Sequence, residues 1–198
     1  MKISKITLEG FAGLLGFVTI CAFGLYTMYG AVQGKSFVGI NVTSWVMWCC
    51  LIALLWATAK RRGEDPLLVI GWTLATTAVT LGYFLLGAKW SFGTAEVVSV
   101  FCVVVAALAF LFSKEPRASY AVGLAFYISG IPQLLTFVAT PAKETWWLWL
   151  FAAIATGLSL LSKKGFDLST IGKAYDEKLF MERLTLFSQI TFFVMVVR

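Results

Sequence analysis

The stretch VVSVFCVVVAALAFLFS at residues 97–113 carries no charged side chain and consists mostly of Val, Ala, Leu and Phe. A helix needs about 17–25 such residues to cross the apolar part of a bilayer. The rest of the chain has the same character, because 60% of its 198 residues are hydrophobic and only 13% are charged. Soluble domains have about 25% charged residues. The composition therefore predicts an all-α, multi-pass membrane protein whose main surroundings are the lipid bilayer.

Charge-free runs on both sides of this stretch predict six further spans. Five of them are long enough by themselves, at 10–34, 36–59, 66–88, 118–142 and 145–162. The last run, 184–197, reaches about 28 Å only when it is extended back to residue 179 across Glu182 and Arg183. The alternative for this segment is an amphipathic helix that lies on the membrane surface. With the extension, the sequence predicts seven transmembrane helices.

The residue types argue against a catalytic site and against a metal site. The chain has no histidine, the most common general base and metal ligand. Its predicted spans contain no paired carboxylates and no nucleophile beside a base. Lys and Arg are spread over short loops without forming a basic stripe, which argues against nucleic acid as a partner. The sequence predicts neither an enzyme, a metal site nor a bound cofactor, and it leaves a homo-oligomer open.

An internal repeat relates the two halves of the chain. GAVQGKSFVG at 30–39 aligns with GIPQLLTFVA at 130–139, and six of the ten positions are identical or similar. One inserted residue then brings SWVMW at 44–48 over TWWLW at 145–149, so that Trp45 corresponds to Trp146. Repeated bundles with a binding site between them are typical of secondary transporters.

The repeat assigns three spans to each copy and leaves 97–113 between them. This run lacks the Gly, Pro, Gln and Trp of the other spans, as is typical of a helix that faces lipid. An odd number of spans in each copy also requires a linker, since the linker returns the second copy to the orientation of the first. The sequence predicts two parallel three-helix bundles, at 1–90 and 117–198, joined by a linker helix at 91–116.

The motif GIPQ at 130–133, followed by the Thr- and Trp-rich start of the next span, resembles the PQ-loop transporters, which include the SWEET sugar facilitators. The resemblance implies the same three-plus-one-plus-three plan and a sugar as solute. Two features depart from it. Val32 replaces the proline in the first copy, and neither the third nor the seventh span contains the Asn expected to touch substrate. Thr73 lies near that place in the third span, with Glu182 or Arg183 near it in the seventh.

A second resemblance concerns GINVTSW at 39–45, which is similar to the nicotinamide riboside uptake family. That family shares the three-plus-one-plus-three plan. The resemblance implies a vitamin or nucleoside as the alternative solute.

Aromatic and neutral polar side chains are the candidate substrate-binding residues. Trp45 and Trp146 hold equivalent places in the repeat, and flat apolar faces around a polar centre suit a sugar ring or a nucleoside base. Trp147 and Trp149 are interpreted instead as part of the interfacial aromatic belt. Neutral groups that can form hydrogen bonds complete the predicted site: Gln33, Asn41, Thr73 and Gln133.

Pro132 is the candidate hinge. A proline inside a helix removes one backbone hydrogen bond, so Pro132 should kink the fifth span and free carbonyls near Ile128. The alternative is a proline that simply ends a helix near the membrane interface.

The function predicted from these features is a facilitator that works by alternating access on a small neutral solute. A seven-helix receptor or scaffold without transport activity is a further alternative. We expect a uniporter, because the predicted spans contain no carboxylate in their middle and Glu182 is the only candidate for ion coupling. Eleven Lys and Arg residues fall on the N-terminal side and four on the other, which predicts a cytoplasmic N-terminus and an external C-terminus.

Overall fold

The structure is a computed structural model that describes residues 5–34, 40–61, 67–90, 92–113, 117–139, 146–162 and 180–197. Within these ranges it is all-helical. The helices are α1 (Lys5–Val32), α2 (Val42–Arg61), α3 (Leu67–Leu85), α4 (Thr94–Phe112), α5 (Arg117–Ser129), α6 (Ile131–Ala139), α7 (Trp146–Ser162) and α8 (Phe180–Val197).

Four of the helices are long and apolar enough to cross a membrane: Leu8–Val32, Val42–Arg61, Leu67–Leu85 and Thr94–Phe112. Three further apolar stretches are shorter, at Tyr120–Thr136, Trp146–Leu161 and Thr185–Val197. The membrane character predicted from composition is thus found in four helices among the described residues. The last segment is helical from Phe180 onwards, and it packs against α5 and α7.

The first helix begins earlier than the sequence predicted. We expected its apolar run to start at residue 10, after a charged segment. In the structure α1 already includes Glu9, whose side chain is only 2% exposed, and the candidate span begins at Leu8. The boundary was drawn at the charge because ionised groups are costly in lipid. That reasoning missed a carboxylate that the surrounding helices cover.

Contacts between the helices follow a regular scheme. Helix α3 packs against both α1 and α2, and α8 packs against both α5 and α7. The most extensive contacts between these two groups are those of α1 with α7 and of α2 with α5. Helix α4 packs against α2 and α5 and buries only Ser99, Val103 and Ala106. Most of its large apolar side chains are exposed, which agrees with the lipid-facing helix predicted for 97–113.

Helices α1 and α3 approach each other closely because glycines face each other across the contact. A Cβ added to Gly13 would lie 2.7 Å from the carbonyl oxygen of Leu67, and a Cβ on Gly71 would lie 2.6 Å from that of Gly13. One turn along α1, a Cβ on Gly16 would overlap the indole nitrogen of Trp72. Small residues that allow close backbone approach are typical of membrane helix contacts. Here they fix the position of Trp72.

Candidate solute-binding site

The fifth predicted span is broken at Gly130, where α5 ends and α6 begins. Pro132 has no N–H to donate to the carbonyl four residues earlier, that of Ile128. This carbonyl accepts a hydrogen bond from the hydroxyl of Ser99 at 3.3 Å, and the carbonyl of Ser129 accepts one from Ser44 at 2.8 Å. The helix is thus interrupted beside Pro132, and the carbonyl of Ile128 forms its hydrogen bond with another helix. Both carbonyls are satisfied by neighbouring helices.

A buried polar network begins at Asn41, just before α2. Its side-chain oxygen accepts the backbone N–H of Ser44 at 3.0 Å, which caps the helix. The Asn41 N–H donates to Oε1 of Gln133 at 3.0 Å, and its Nδ2 donates to Oε1 of Glu96 at 2.9 Å. Glu96 also accepts the N–H of Gly93 at 2.9 Å and so caps α4. The network holds the starts of α2, α4 and α6 together.

This network gives a direct test of Gln133. Replacing Gln133 with Met keeps the length of the side chain but leaves the buried N–H of Asn41 without this acceptor, which costs about 1–3 kcal/mol. The melting temperature in detergent should fall by several degrees, at about 2–4 °C per kcal/mol for a chain of this size. Gln33→Met is the matched control from the other copy of the repeat, because Gln33 is exposed. Equal melting temperatures of the two variants would contradict this role of Gln133.

A cavity lies between the helices below this network. It contains about 600 Å³ of space free of atoms, counting its open mouth. Six helices contribute its walls, and among the described helices α4 and α6 contribute none. The lining residues are Ile20, Trp45, Trp48, Ile52, Trp72, Thr76, Phe126, Tyr127, Gly130, Leu148, Trp149, Ala152, Ser188, Gln189 and Phe192.

Aromatic rings form most of the cavity wall, with Trp48 at their centre. The ring of Trp48 lies 6.0 Å from that of Trp149, edge to face, and 6.2 Å from that of Phe126. Trp149 stacks on Phe192 with 4.4 Å between the ring centroids. Trp45 stands edge-on to Trp48 at 5.7 Å. These rings come from α2, α5, α7 and α8, so both halves of the chain supply them.

The cavity has few polar groups and no charged lining residue. Oε1 of Gln189 accepts a hydrogen bond from Thr156 at 2.8 Å, which holds the carboxamide in place and leaves its nitrogen as a donor. The indole nitrogens of Trp45 and Trp48 are buried and find no acceptor among the described residues. Thr76 and Ser188 also line the cavity, and each has a short side chain with a hydroxyl group.

The structure brings together only some of the predicted site residues. Trp45 lines the cavity and stacks on Phe23, with ring centroids 5.6 Å apart. Asn41 and Gln133 meet each other, but they form the capping network and do not line the cavity. Pro132 lies at the helix break beside them. The sequence alone could not distinguish a polar side chain of the capping network from one of the cavity wall, because both need buried side chains that form hydrogen bonds.

Three of the predicted site residues lie outside the cavity wall, and the side chain of a fourth is not described. Trp146 is 44% exposed and packs edge-on to Phe193, so the predicted pair of Trp45 and Trp146 is not formed. Gln33 lies exposed in the turn after α1. The Thr73 hydroxyl donates to the carbonyl of Val69 in its own helix at 2.7 Å, and Thr73 is not a lining residue. The side chain of Glu182 lies outside the described part of the chain.

The sequence interpretation missed the central residues Trp48, Trp149 and Gln189. Trp149 was assigned to the interfacial belt, but it is 7% exposed and lies in the cavity wall. The signal for the first two was present, since the repeat places Trp48 over Trp149 just as it places Trp45 over Trp146. Helical phase decides between the two pairs, because three residues turn the side chain by about 300°. Gln189 carried no such signal.

Comparison of the chain with protein-family models, with curated proteins and with solved structures gives no match.

Proposed function

We propose that the chain is a membrane transporter, a facilitator that carries a small neutral solute by alternating access. The observation that carries this proposal is the composition of the cavity wall. Helices α1, α2 and α3 supply one part of it, α5, α7 and α8 supply the other, and α4 contributes nothing. A binding site between two repeated bundles is the usual arrangement in secondary transporters.

The helix contacts support two bundles of three with α4 as the linker. In the proposed first bundle α3 touches both α1 and α2, and in the second α8 touches both α5 and α7. The contacts across the middle are also paired, since α1 meets α7 and α2 meets α5. A half-turn that exchanges the two copies would map each of these contacts onto its partner. The bundles can then rock against each other around the cavity.

Hydrogen bonds join the two proposed bundles at both ends of the cavity. At the end where α2 begins, Ser44 donates to the carbonyl of Ser129, beside the contact of Asn41 with Gln133. At the end where α1 begins, Ser159 of α7 donates to the carboxylate of Glu9. Alternating access would open one of these contacts while the other stays closed. The break at Gly130 and Pro132 makes α5 and α6 the proposed moving part at the first end.

The chemistry of the wall defines the solute. With no charged lining residue, an ionic solute would lose its hydration without gaining a partner, so the solute is neutral. Stacked Trp and Phe faces suit either a sugar ring or a flat base. The few polar groups, chiefly the amide of Gln189, favour the flat base, because each sugar hydroxyl that enters the cavity needs its own hydrogen bond. A nucleoside-type or vitamin-type solute is therefore a candidate beside a sugar.

Counterflow in proteoliposomes tests this function. Vesicles containing the purified chain are loaded with one unlabelled solute, and uptake of the labelled solute is measured for a panel of sugars, nucleosides, vitamins and amino acids. A transporter gives transient accumulation of at least one neutral solute above empty vesicles. Binding of a solute without any counterflow would instead favour the receptor or scaffold.

A further inference from the structure

Glu9 is a carboxylate inside a candidate membrane span, at the contact between α1 and α7 that the proposed transport cycle opens and closes. It lies one residue into the span Leu8–Val32, and its side chain is 2% exposed. A charged group in this position is costly, and ionisable residues within membrane helices usually mark ion or proton pathways. The uniporter prediction considered carboxylates in the middle of the spans and named Glu182 as the only candidate for ion coupling. Glu9, buried near the start of α1, is a further candidate.

The contact of Glu9 with Ser159 crosses between the proposed bundles. The Ser159 hydroxyl lies 3.0 Å from Oε1 and 2.8 Å from Oε2 of Glu9, and Ser159 is itself 1% exposed. The serine hydroxyl donates to the carboxylate and keeps its own oxygen lone pairs as acceptors. Three clustered oxygens from a carboxylate and a hydroxyl are also the ligand type that hard cations prefer.

The helices packed against α1 around Glu9 are α3 and α7. Neither of them contains Asp, Glu, Lys, Arg or His. The titratable group of α3 is Tyr83, which hydrogen-bonds Thr27 towards the other end of α1. Helix α8 begins at the same end as α1 and carries Arg183, whose Nε has no acceptor among the described residues. On α1 itself Lys5 precedes Glu9 by one turn.

We propose that Glu9 and Ser159 form a binding site for a sodium ion that controls the opening between α1 and α7. The proposal rests on the proposed transport function. With the cation bound, Glu9 is neutralised and stays buried between the two helices. When α1 separates from α7, water hydrates the carboxylate and the cation leaves. Solute movement through the cavity therefore depends on the concentration of that cation.

Thermal unfolding of the purified full chain in detergent tests the site without any solute. Sodium chloride is compared with choline chloride at equal ionic strength and equal pH. A ligand that binds only the folded form at ten times its Kd raises the melting temperature by about 3–6 °C. A higher melting temperature in sodium chloride than in choline chloride supports the site.

Glu9→Gln keeps the shape of the side chain but removes its charge, and it should abolish the cation dependence. Glu96→Gln is the matched control at the other end of the cavity and should keep it. Ser159→Ala retains the charge of Glu9 but removes one ligand, so it should weaken the cation dependence of the melting temperature. This variant replaces Glu9→Gln in the test if Glu9→Gln does not fold. Identical sodium responses of wild type, Glu9→Gln and Ser159→Ala would overturn the proposal.

The same samples separate this proposal from the transport function. Cation dependence that Glu9→Gln abolishes, in a chain that shows no counterflow of any solute, would support the site and refute transport. Counterflow that proceeds at equal rates in wild type and Glu9→Gln at all cation concentrations would support transport and overturn the coupling.

Discussion

Trp48→Ala is expected to reduce solute counterflow at least tenfold. Trp48 is 7% exposed and touches four other rings of the cavity wall, so its removal takes away the central apolar face. Truncating a buried Trp to Ala removes packing worth about 3–5 kcal/mol. If half of that loss falls on the solute-bound state, the affinity drops more than tenfold, since about 1.4 kcal/mol is a factor of ten. The measurement is initial counterflow rate per folded protein in proteoliposomes.

Trp56→Ala is the matched control for this change. Trp56 lies on the same helix but is 42% exposed and does not line the cavity, so its variant should transport at nearly the wild-type rate. Trp48→Phe retains an aromatic face and should lose less activity than Trp48→Ala. Folding is compared by elution as a single species in size-exclusion chromatography. Equal losses in Trp48→Ala and Trp56→Ala would show that this cavity is not the solute site.

Gly13→Ala and Gly71→Ala should each destabilise the fold strongly. The added Cβ would lie within 2.7 Å of a backbone carbonyl oxygen in both variants, and backbone cannot turn aside as a side chain can. Overpacking of this kind costs about 1–3 kcal/mol and sometimes more. The melting temperature in detergent should therefore fall by about 2–12 °C, at about 2–4 °C per kcal/mol. Separation of α1 from α3 would also displace Trp72 from the cavity wall.

Gly157→Ala tests the reason for that effect. Gly157 lies inside α7, and a Cβ there would meet no atom within 4 Å. Alanine has a higher helix propensity than glycine by about 1 kcal/mol. This variant should therefore be as stable as wild type or more stable. If all three glycine variants lowered the melting temperature alike, close approach of α1 and α3 would not explain the result.

The elements best predicted from the sequence are those that depend on local patterns. Long charge-free runs predicted the helices, because a bilayer-length apolar stretch has few other structures open to it. Pro132 predicted the break after α5, since a missing N–H acts within one turn. The start of α1 was misplaced because whether Glu9 can be buried depends on Ser159, 150 residues away in the chain.

The sequence predicted the residue types that form the candidate site and two of its helices, but not which residues line it. Tryptophans of α2 and α7 do form it, but Trp48 and Trp149 meet where Trp45 and Trp146 were expected. The rotation of each helix about its axis decides this, and the apolar run does not encode it because nearly every face is apolar. For the same reason Gln133, a predicted substrate ligand, forms a hydrogen bond with Asn41 outside the cavity wall.

Accessibility of a single cysteine at Ala152 tests the central claim most directly. Ala152 lines the cavity and is 7% exposed. With the native cysteines replaced by serine, Ala152→Cys should react with a membrane-impermeant thiol reagent supplied outside the vesicles and, separately, inside them. Ile154→Cys is the control on the same helix, because Ile154 is 40% exposed and does not line the cavity. We expect the cysteine at position 152 to react from each side of the membrane, and the transported solute to slow both reactions. Reaction from one side only, or from neither, would contradict alternating access through this cavity.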